Sequence, residues 1–105
     1  MIHLPYTIGT ETFRVKDEIT RRCVEIRDKY QFLTDKTVSN SNEDDFLRAL
    51  LRRHPEAETK IRGGVDHFEV DKDPTWDTYC FWAVDEEGER VKFSYPHIIT
   101  SLRPD

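Results

Sequence analysis

The first apolar pattern along the chain has the period of an α-helix. Between Lys16 and about Gln31, apolar residues recur four, three and four positions apart, which places them on one helical face. These residues are Ile19, Cys23, Ile26 and Tyr30. Acidic residues at the start of the segment, Asp17 and Glu18, suit the positive end of the helix dipole. We therefore expect an amphipathic first helix with one buried stripe.

A second helical pattern follows a polar stretch that we expect to form a loop. Its apolar residues, spaced for one face of a helix, are Phe46, Leu47, Leu50 and Leu51. Ser41 or Asn42 is expected to cap the N-terminus of this helix. Because Pro55 disfavours helical geometry at His54, the helix should end near Arg53.

The second half of the chain alternates with the period of two that strands require. In residues 65–71, Phe68 and Val70 fall on the face expected to be buried. A second strand should run over residues 79–84. The acidic turn of residues 85–89, in which Gly88 can adopt a positive φ, should join it to a third strand.

This turn predicts the register of the hairpin on either side of it. If residues 85 and 89 face each other, the alternation assigns every partner across the two strands. On the buried face the predicted pairs are Tyr79–Tyr95, Phe81–Phe93 and Ala83–Val91. On the other face they are Cys80–Ser94, Trp82–Lys92 and Val84–Arg90. Phe81 and Phe93 should therefore be buried, and Trp82 should be at least partly exposed.

Together these elements predict an α+β fold, with two helices packed on one face of a three- to four-stranded antiparallel sheet. The fourth strand would be the N-terminal segment, where Tyr6, Ile8 and Phe13 alternate with threonines. The other face of the sheet should stay partly open. The chain has 105 residues, the size of one domain, and we take residues 1–105 as that domain.

Composition narrows the class of protein. No apolar run approaches the roughly 18 residues of a membrane span, and the first residues do not resemble a secretory signal. A cytoplasmic location is therefore expected. Cys23 and Cys80 stand alone in unlike settings, so we expect two reduced thiols. We expect neither a metal nor a cofactor, because no clustered ligand spacing is present.

Charge is distributed unevenly along the chain. The net charge is −5, but residues 48–62 carry five basic and two acidic residues, while residues 63–89 carry one basic and nine acidic residues. The overall acidity argues against a broad, nonspecific DNA-coating protein. The basic segment nevertheless leaves local binding of a polyanion open.

A series of short motifs resembles the family named for the defective-chloroplasts-and-leaves (DCL) protein of plants. The motifs are Leu50-Leu51, His54-Pro55, Lys60-Ile61, Gly63-Gly64, residues 67–70 (HFEV), Cys80-Phe81, Gly88 and residues 93–95 (FSY). The resemblance covers residues 13–99 and implies a small, stand-alone bacterial member of unknown function. Arg62 departs from the family pattern, which has glycine there, and Pro96-His97 replaces a basic stretch.

The resemblance also carries functional expectations. In plants the family includes a chloroplast protein linked to ribosomal RNA maturation. A related domain lies at the C-terminal end of the largest subunits of plant-specific RNA polymerases. The resemblance implies no catalytic residues, because this is not an established enzyme family. The replaced basic stretch would remove positive charge from a position where RNA might otherwise be contacted.

The first candidate site is the open face of the sheet. Its predicted nucleic-acid-binding residues are Trp82, Lys92, Arg90 and His67, with Glu69 beside them. Aromatic rings that stack on bases and cations that hold phosphates are what single-stranded RNA requires of a protein surface. The alternative is a Trp–Lys cross-strand pair that only stabilises an exposed sheet.

Two further groups of residues are candidates for binding or chemistry, one basic and one made of potential metal ligands or acid–base groups. The secondary basic group consists of Arg48, Arg52, Arg53, Lys60 and Arg62. It would steer a phosphate or an acidic partner, or simply form a solvated helix face. The other group, considered for metal binding or acid–base chemistry, is His54, His67, Glu69, Cys80 and His97. Only His67 and Glu69 share a strand face, so we assign no catalytic residue and no metal ligand.

We interpret the chain as a small cytosolic binding module associated with RNA. Its partner would be single-stranded or structured RNA, or a protein of an RNA-processing assembly, in ribosomal RNA maturation or linked to transcription. The alternative is a protein–protein adaptor that docks a basic partner through the acidic residues 63–89. A metal-dependent nuclease is the third interpretation, and an enzyme is less favoured than a binding protein. No interaction with a membrane is expected.

Overall fold

The computed structural model describes residues 4–57 and 64–105. Their helices and strands, in chain order, are β1 (Tyr6–Ile8), β2 (Glu11–Phe13), α1 (Lys16–Gln31), α2 (Ser41–Leu51), β3 (His67–Asp73), β4 (Thr78–Val84), β5 (Arg90–Phe93) and α3 (Tyr95–Ser101). The predicted α+β class is confirmed. No helix within these two stretches is long and apolar enough to cross a membrane.

The three strands of the second half of the chain form an antiparallel sheet in the order β3-β4-β5, with β4 in the middle. The partners of β4 on β5 are Phe81–Phe93, Trp82–Lys92, Ala83–Val91 and Val84–Arg90. This register is the one that the alternation predicted. The turn between the strands closes where the Asp85 N–H donates to the Glu89 carbonyl, 3.0 Å away. Gly88 has a φ of 86°, a conformation that favours glycine.

The sheet ends earlier on β5 than the sequence suggested. The predicted pairs Tyr79–Tyr95 and Cys80–Ser94 are wrong, because the chain leaves the sheet after Phe93 and begins α3 at Tyr95. Ser94 caps this helix: its hydroxyl accepts a hydrogen bond from the backbone N–H three residues later. A proline in the first turn suits a helix start, and the helix buries Ile98 and Ile99.

The N-terminal segment does not add a fourth strand to this sheet. Strands β1 and β2 pair with each other instead, with Tyr6 opposite Phe13. Gly9 connects them with a φ of 64°. A Cβ atom added there would lie 3.3 Å from the Cβ atom of Ala49, so α2 approaches this hairpin closely.

A different segment lies along the outer edge of β3. The Val38 N–H donates to the Phe68 carbonyl at 2.8 Å, and the Val70 N–H donates to the Lys36 carbonyl at 2.9 Å. Thr37 forms an isolated bridge with Glu69. The sequence predicted only a loop here. These bonds satisfy backbone groups at the edge of β3 and place Lys36 next to the sheet.

The core lies between the helices and the face of the sheet that carries Phe81 and Phe93. Helix α1 buries Ile19, Cys23, Ile26 and Tyr30, as predicted. Helix α2 buries the predicted Phe46, Leu47, Leu50 and Leu51, together with Glu43. The rings of Phe81 and Phe93 stack with their centroids 5.8 Å apart. Asn40 caps α2 by accepting a hydrogen bond from the Glu43 N–H at 3.1 Å, so the predicted caps Ser41 and Asn42 are wrong by one or two positions.

Candidate nucleic-acid interface

Residues from all three strands share the face of the sheet that points away from the core, which we call the open face. Strand alternation and the observed register place ten side chains on it, one of which is Thr78 at the start of β4. They are His67, Glu69, Asp71 and Asp73 from β3, Thr78, Cys80, Trp82 and Val84 from β4, and Arg90 and Lys92 from β5. Val84 and Asp73 are buried, and the others are half-buried or exposed. The four predicted nucleic-acid-binding residues therefore do lie on one face.

Trp82 lies at the centre of the open face. In the register it stands between Glu69 on β3 and Lys92 on β5. The guanidinium carbon of Arg90 lies over its ring, 4.4 Å from the centroid. The indole N–H donates to the Asp71 carbonyl at 3.3 Å. The cation on the tryptophan ring is thus Arg90, whereas the sequence had suggested Lys92.

The position of Arg90 follows from the geometry of the sheet. Strands β5 and β3 flank β4, so their axes are separated by about 10 Å. The long Arg90 side chain crosses over β4 to reach Glu69 at 3.4 Å and Asp71 at 3.0 Å. Because Trp82 occupies the middle strand at that point, the guanidinium lies over its ring.

The other cations of the open face also meet carboxylates. Lys92 on β5 forms an ion pair with Asp73 across β4. Lys36, from the segment along the edge of β3, lies 2.5 Å from Asp71. Hydrogen bonding to Lys36 lowers the pKa of Asp71, and hydrogen bonding to Lys92 lowers the pKa of Asp73. An incoming phosphate would therefore have to compete with carboxylates already in place.

His67 extends this network to the end of β3. Its Nδ1 lies 2.7 Å from an Asp66 carboxylate oxygen and its Nε2 lies 3.0 Å from one of Glu69. The hydrogen bond with Glu69 raises the pKa of His67 most, the one with Asp66 adds to it, and partial desolvation opposes both. The protonated ring donates from both nitrogens, so His67 gains a positive charge more readily than an ordinary histidine.

The structure does not gather the residues considered for metal binding or catalysis. Cys80 stands opposite Asp71 and its thiol donates to the Asp71 carbonyl at 3.6 Å, four residues along β3 from His67. The rings of His54 and His97 lie together elsewhere, with centroids 5.2 Å apart. Within residues 4–57 and 64–105, no three His, Cys, Asp or Glu side chains are arranged to hold a metal ion.

Arg48 was predicted to point into solvent as part of the secondary basic group, but it joins α2 to the start of β3. Its guanidinium donates to the carbonyls of Val65 and Asp66, each at 2.7 Å. Its Nε lies 2.6 Å from Asp44, one helical turn earlier. The guanidinium carbon is also 5.7 Å from the centre of the Phe68 ring. Arg48 is therefore a structural contact, which helical periodicity alone could not reveal.

The remaining members of the basic group have separate environments. Arg53 donates to the Thr7 carbonyl at 2.9 Å and so contacts the β1–β2 hairpin. Arg52 is exposed. Lys60 and Arg62 lie outside the described residues. Two of the three described arginines, Arg48 and Arg53, therefore donate hydrogen bonds to backbone carbonyls.

The acidic stretch of residues 63–89 divides into two kinds of carboxylate. Those on the open face pair with cations, as described above, and so does Asp77 in the β3–β4 turn, whose carboxylate lies 3.2 Å from Lys72. Those of the β4–β5 turn do not: Glu86, Glu87 and Glu89 are exposed and form no ion pair with any residue that the structure describes. Asp85 shapes the turn by accepting the N–H groups of Glu87 and Glu89, each at 2.9 Å.

The fold and its open face define a small α+β domain with a three-stranded sheet, one face of which carries an aromatic ring under a guanidinium. Residues 25–99 match the family model described as "Protein of unknown function (DUF3223)". The chain belongs to this family. The resemblance to DCL proteins is confirmed as well, since named DCL proteins are among its relatives.

The relatives are mostly much longer proteins. The chain is 37% identical over 59 residues to DNA-directed RNA polymerase V subunit 1 of Arabidopsis thaliana, covering 55% of this chain and 3% of that protein. It is 31% identical over 71 residues to Protein EMBRYO DEFECTIVE 514 of Arabidopsis thaliana, covering 68% and 35%. It is 36% identical over 66 residues to the chloroplastic Protein DCL of Solanum lycopersicum, covering 62% and 30%. The chain thus matches about a third or less of each plant protein.

A solved structure shares almost the whole fold. It is the solution NMR structure of an uncharacterized protein from Rhodospirillum rubrum, with a TM-score of 0.78 and 29% sequence identity. The match covers 90% of this chain and 88% of that chain. The arrangement of elements described above is therefore found in a second protein of similar length.

Proposed function

We propose that this chain is a binding module of an RNA-associated assembly and that it binds single-stranded RNA on its open face. The observation that carries this proposal is the Arg90 guanidinium lying 4.4 Å over the Trp82 ring, at the centre of a sheet face opposite the core. Aromatic rings and guanidinium planes are the two kinds of surface on which unpaired bases stack. Lys92 and His67 stand close enough on the same face to approach the backbone of a bound strand.

The paired charges of the open face determine what kind of binding is expected. Arg90, Lys92 and Lys36 already contact Glu69, Asp71 and Asp73. A phosphate gains a cation only by displacing a carboxylate, so little net charge is available to attract RNA. Binding should therefore be weak, depend mainly on stacking, and vary less with salt than binding to a free basic patch.

The relatives support the association with RNA. One of them is a subunit of a DNA-directed RNA polymerase, and the DCL resemblance implies ribosomal RNA maturation. We extend both to this chain as a proposal: residues 1–105 act as one domain, in the cytoplasm, within an assembly that makes or matures RNA.

The test is a titration of a short fluorescent oligouridylate with the protein, followed by anisotropy at two salt concentrations. Trp82→Ala should weaken binding by about 1–3 kcal/mol through lost stacking. Arg90→Lys keeps the charge but loses the planar guanidinium, so it should also weaken binding. The matched control is Lys72→Ala, which removes an exposed, carboxylate-paired lysine from the opposite face of the same sheet and should have no effect.

Equal affinity for wild type, Trp82→Ala and Arg90→Lys would contradict stacking on the open face. Each variant is compared only after its thermal unfolding shows that it is folded. Lys92→Ala, which removes a cation from the open face, should weaken binding of all sequences similarly. A loss of binding confined to Arg52→Ala would instead move the site to the exposed end of α2.

The exposed carboxylates of the β4–β5 turn favour a second candidate function, a protein–protein adaptor. Glu86, Glu87 and Glu89 present unpaired negative charge among the described residues, which a basic partner protein would complement. Replacing these three glutamates by glutamine separates the two functions. RNA binding unchanged by the triple variant supports the RNA module, whereas salt-sensitive binding of a basic protein that is lost in the variant supports the adaptor.

A further inference from the structure

A groove lies where β4 extends beyond the end of β5. Strand β5 ends at Phe93, opposite Phe81, so the first three residues of β4 continue past it. The chain then turns away into α3, and the space that it leaves has a volume of about 410 Å³. This is the lower part of the size range typical of small-molecule pockets. The residues that determine its chemistry are Trp76, Tyr79, Tyr95, Arg27, Lys92 and Asp73.

Aromatic side chains form much of the groove. Trp76, in the turn between β3 and β4, is 72% exposed, although a tryptophan ordinarily buries most of its surface. Tyr79 and Tyr95 line the groove beside it and are half-buried. Asp73 holds this turn by accepting the Thr75 N–H at 2.8 Å. The exposed ring is thus presented by an ordered turn.

Two cations stand at the same groove. Arg27 reaches it from α1 and donates to the Tyr95 hydroxyl at 3.2 Å, with Asp28 3.4 Å from its guanidinium. Lys92 reaches it from β5 and is paired with Asp73. The lining therefore holds two positive charges and one negative charge. With Asp28 beside Arg27 these charges balance, so a phosphate would reach the two cations by exchanging with their carboxylates. A flat apolar ring beside a guanidinium and an ammonium group complements a flat base attached to a phosphate.

We infer that this groove binds one nucleotide, with its base against Trp76 and its phosphate beside Arg27 and Lys92. The inference rests on the proposed function, because the nucleotide would belong to the RNA strand bound on the open face. Lys92 and Cys80 belong to both places, so the groove continues from the open face. Trp82 and Thr78, where the groove begins, are four residues apart, or about 13 Å along β4. One strand of RNA can therefore contact both tryptophans.

A peptide is the other occupant that the end of an unmatched strand could accept. An extended peptide would pair with the backbone of β4, and an acidic one would satisfy Arg27. Neither the backbone pairing nor the contact with Arg27 requires a large aromatic ring at the entrance, where Trp76 is 72% exposed. The ring and the cations together therefore favour the nucleotide.

The experiment uses the two tryptophans as separate reporters. Trp82→Phe leaves Trp76 as the single tryptophan, and its fluorescence is followed during addition of adenosine 5′-monophosphate, adenosine or inorganic phosphate. We expect the monophosphate to quench Trp76 and to bind several-fold more tightly than adenosine or phosphate. Arg27→Ala should reduce the affinity for the monophosphate several-fold and leave that for adenosine unchanged. The indole N–H resonance of Trp76 in the wild-type protein gives the same readout without any substitution.

The second arm measures RNA. Trp76→Ala should weaken binding of the oligouridylate by roughly fivefold to 150-fold, the range of losses when a stacking ring is removed. The matched control is Phe32→Ala, which removes an 83% exposed ring at the end of α1, outside the groove, and should leave the affinity unchanged.

The outcomes separate the groove from the open face. If Trp76→Ala binds RNA like wild type while Trp82→Ala does not, the groove inference is wrong and the proposed function stands. If the monophosphate affects Trp76 but RNA binds neither tryptophan, the groove is a nucleotide site and the proposed function fails. No response of Trp76 to the monophosphate overturns the inference. If the fluorescence of Trp76 responded to an added acidic peptide and to none of these three ligands, the groove would be a peptide site and the inference would be wrong.

Discussion

The stability of an Arg48 variant shows whether this arginine is a structural contact or a solvated residue of α2. On helical periodicity it is a solvated member of a basic patch, and its loss should leave the free energy of unfolding unchanged. In the structure it donates to the carbonyls of Val65 and Asp66 and thereby attaches the start of β3 to α2. We predict that Arg48→Ala destabilises the protein.

The magnitude follows from the contacts. A hydrogen bond from a charged group contributes about 1.5–3 kcal/mol. The two bonds share one guanidinium, whose side chain is 32% exposed, and water can replace part of what the carbonyls lose. Two hydrogen bonds at the lower end of this range would contribute about 3 kcal/mol, and solvation reduces the expected loss of stability to about 2 kcal/mol. For a domain of this size that corresponds to a decrease in Tm of roughly 8–16 °C.

The assay is thermal unfolding followed by circular dichroism, supported by urea unfolding. Arg52→Ala is the matched control, because it removes an exposed arginine four positions later and should change the free energy of unfolding by less than about 0.5 kcal/mol. RNA binding by folded Arg48→Ala should equal that of wild type. Equal Tm values for the two variants and wild type, or a specific loss of RNA binding in Arg48→Ala, would refute the structural role of Arg48.

Three further predictions concern the core, His67 and the thiols. Leu50 is fully buried, so Leu50→Ala should cost about 2–5 kcal/mol in urea unfolding, and an unchanged midpoint would mean that α2 packs differently. The pKa of His67 is raised in the folded protein above the ordinary value of 6.5, so its pairing with Glu69 and Asp66 stabilises the fold below about pH 6.5 and the stabilisation is lost as pH rises through the folded pKa. His67→Gln should therefore destabilise most in mildly acidic solution, and a deficit that grows with pH would contradict this. Burial raises the pKa of Cys23 to about 12, so alkylation followed by mass spectrometry should label the half-buried Cys80 first, and rapid labelling of Cys23 in the native protein would show that α1 opens.

Local patterns were sufficient to predict most of the fold. The apolar stripes of α1 and α2 have the helical period. The alternation excludes a one-residue slip, which would expose Phe81 or Phe93, and the position of the acidic turn selects the observed register. The third helix was missed because it is only seven residues long and begins where the strand pattern was still being extended. Its signal was Ser94 followed by Pro96, a cap and a first-turn proline.

The candidate site could be predicted only as a set of residues on one face. Strand alternation predicted that Trp82, Arg90 and Lys92 share a face, because the face of each side chain depends only on its position along a strand. It could not predict that Arg90 crosses over β4 to Asp71, since that contact depends on β3 lying next to β4. For the same reason it missed Lys36, which comes from a segment expected to be a loop. These long-range pairings turn a face that looked basic into one with balanced charge.

The central claim, that single-stranded RNA binds the open face, is tested most directly by NMR. Amide and indole N–H resonances of the wild-type protein are followed during addition of a short oligouridylate. We predict that the shifts concentrate on β3, β4 and β5, and that the indole resonance of Trp82, whose N–H donates to the Asp71 carbonyl, is among the most strongly affected. An unchanged spectrum, or shifts confined to α2 and the β1–β2 hairpin, would contradict the account.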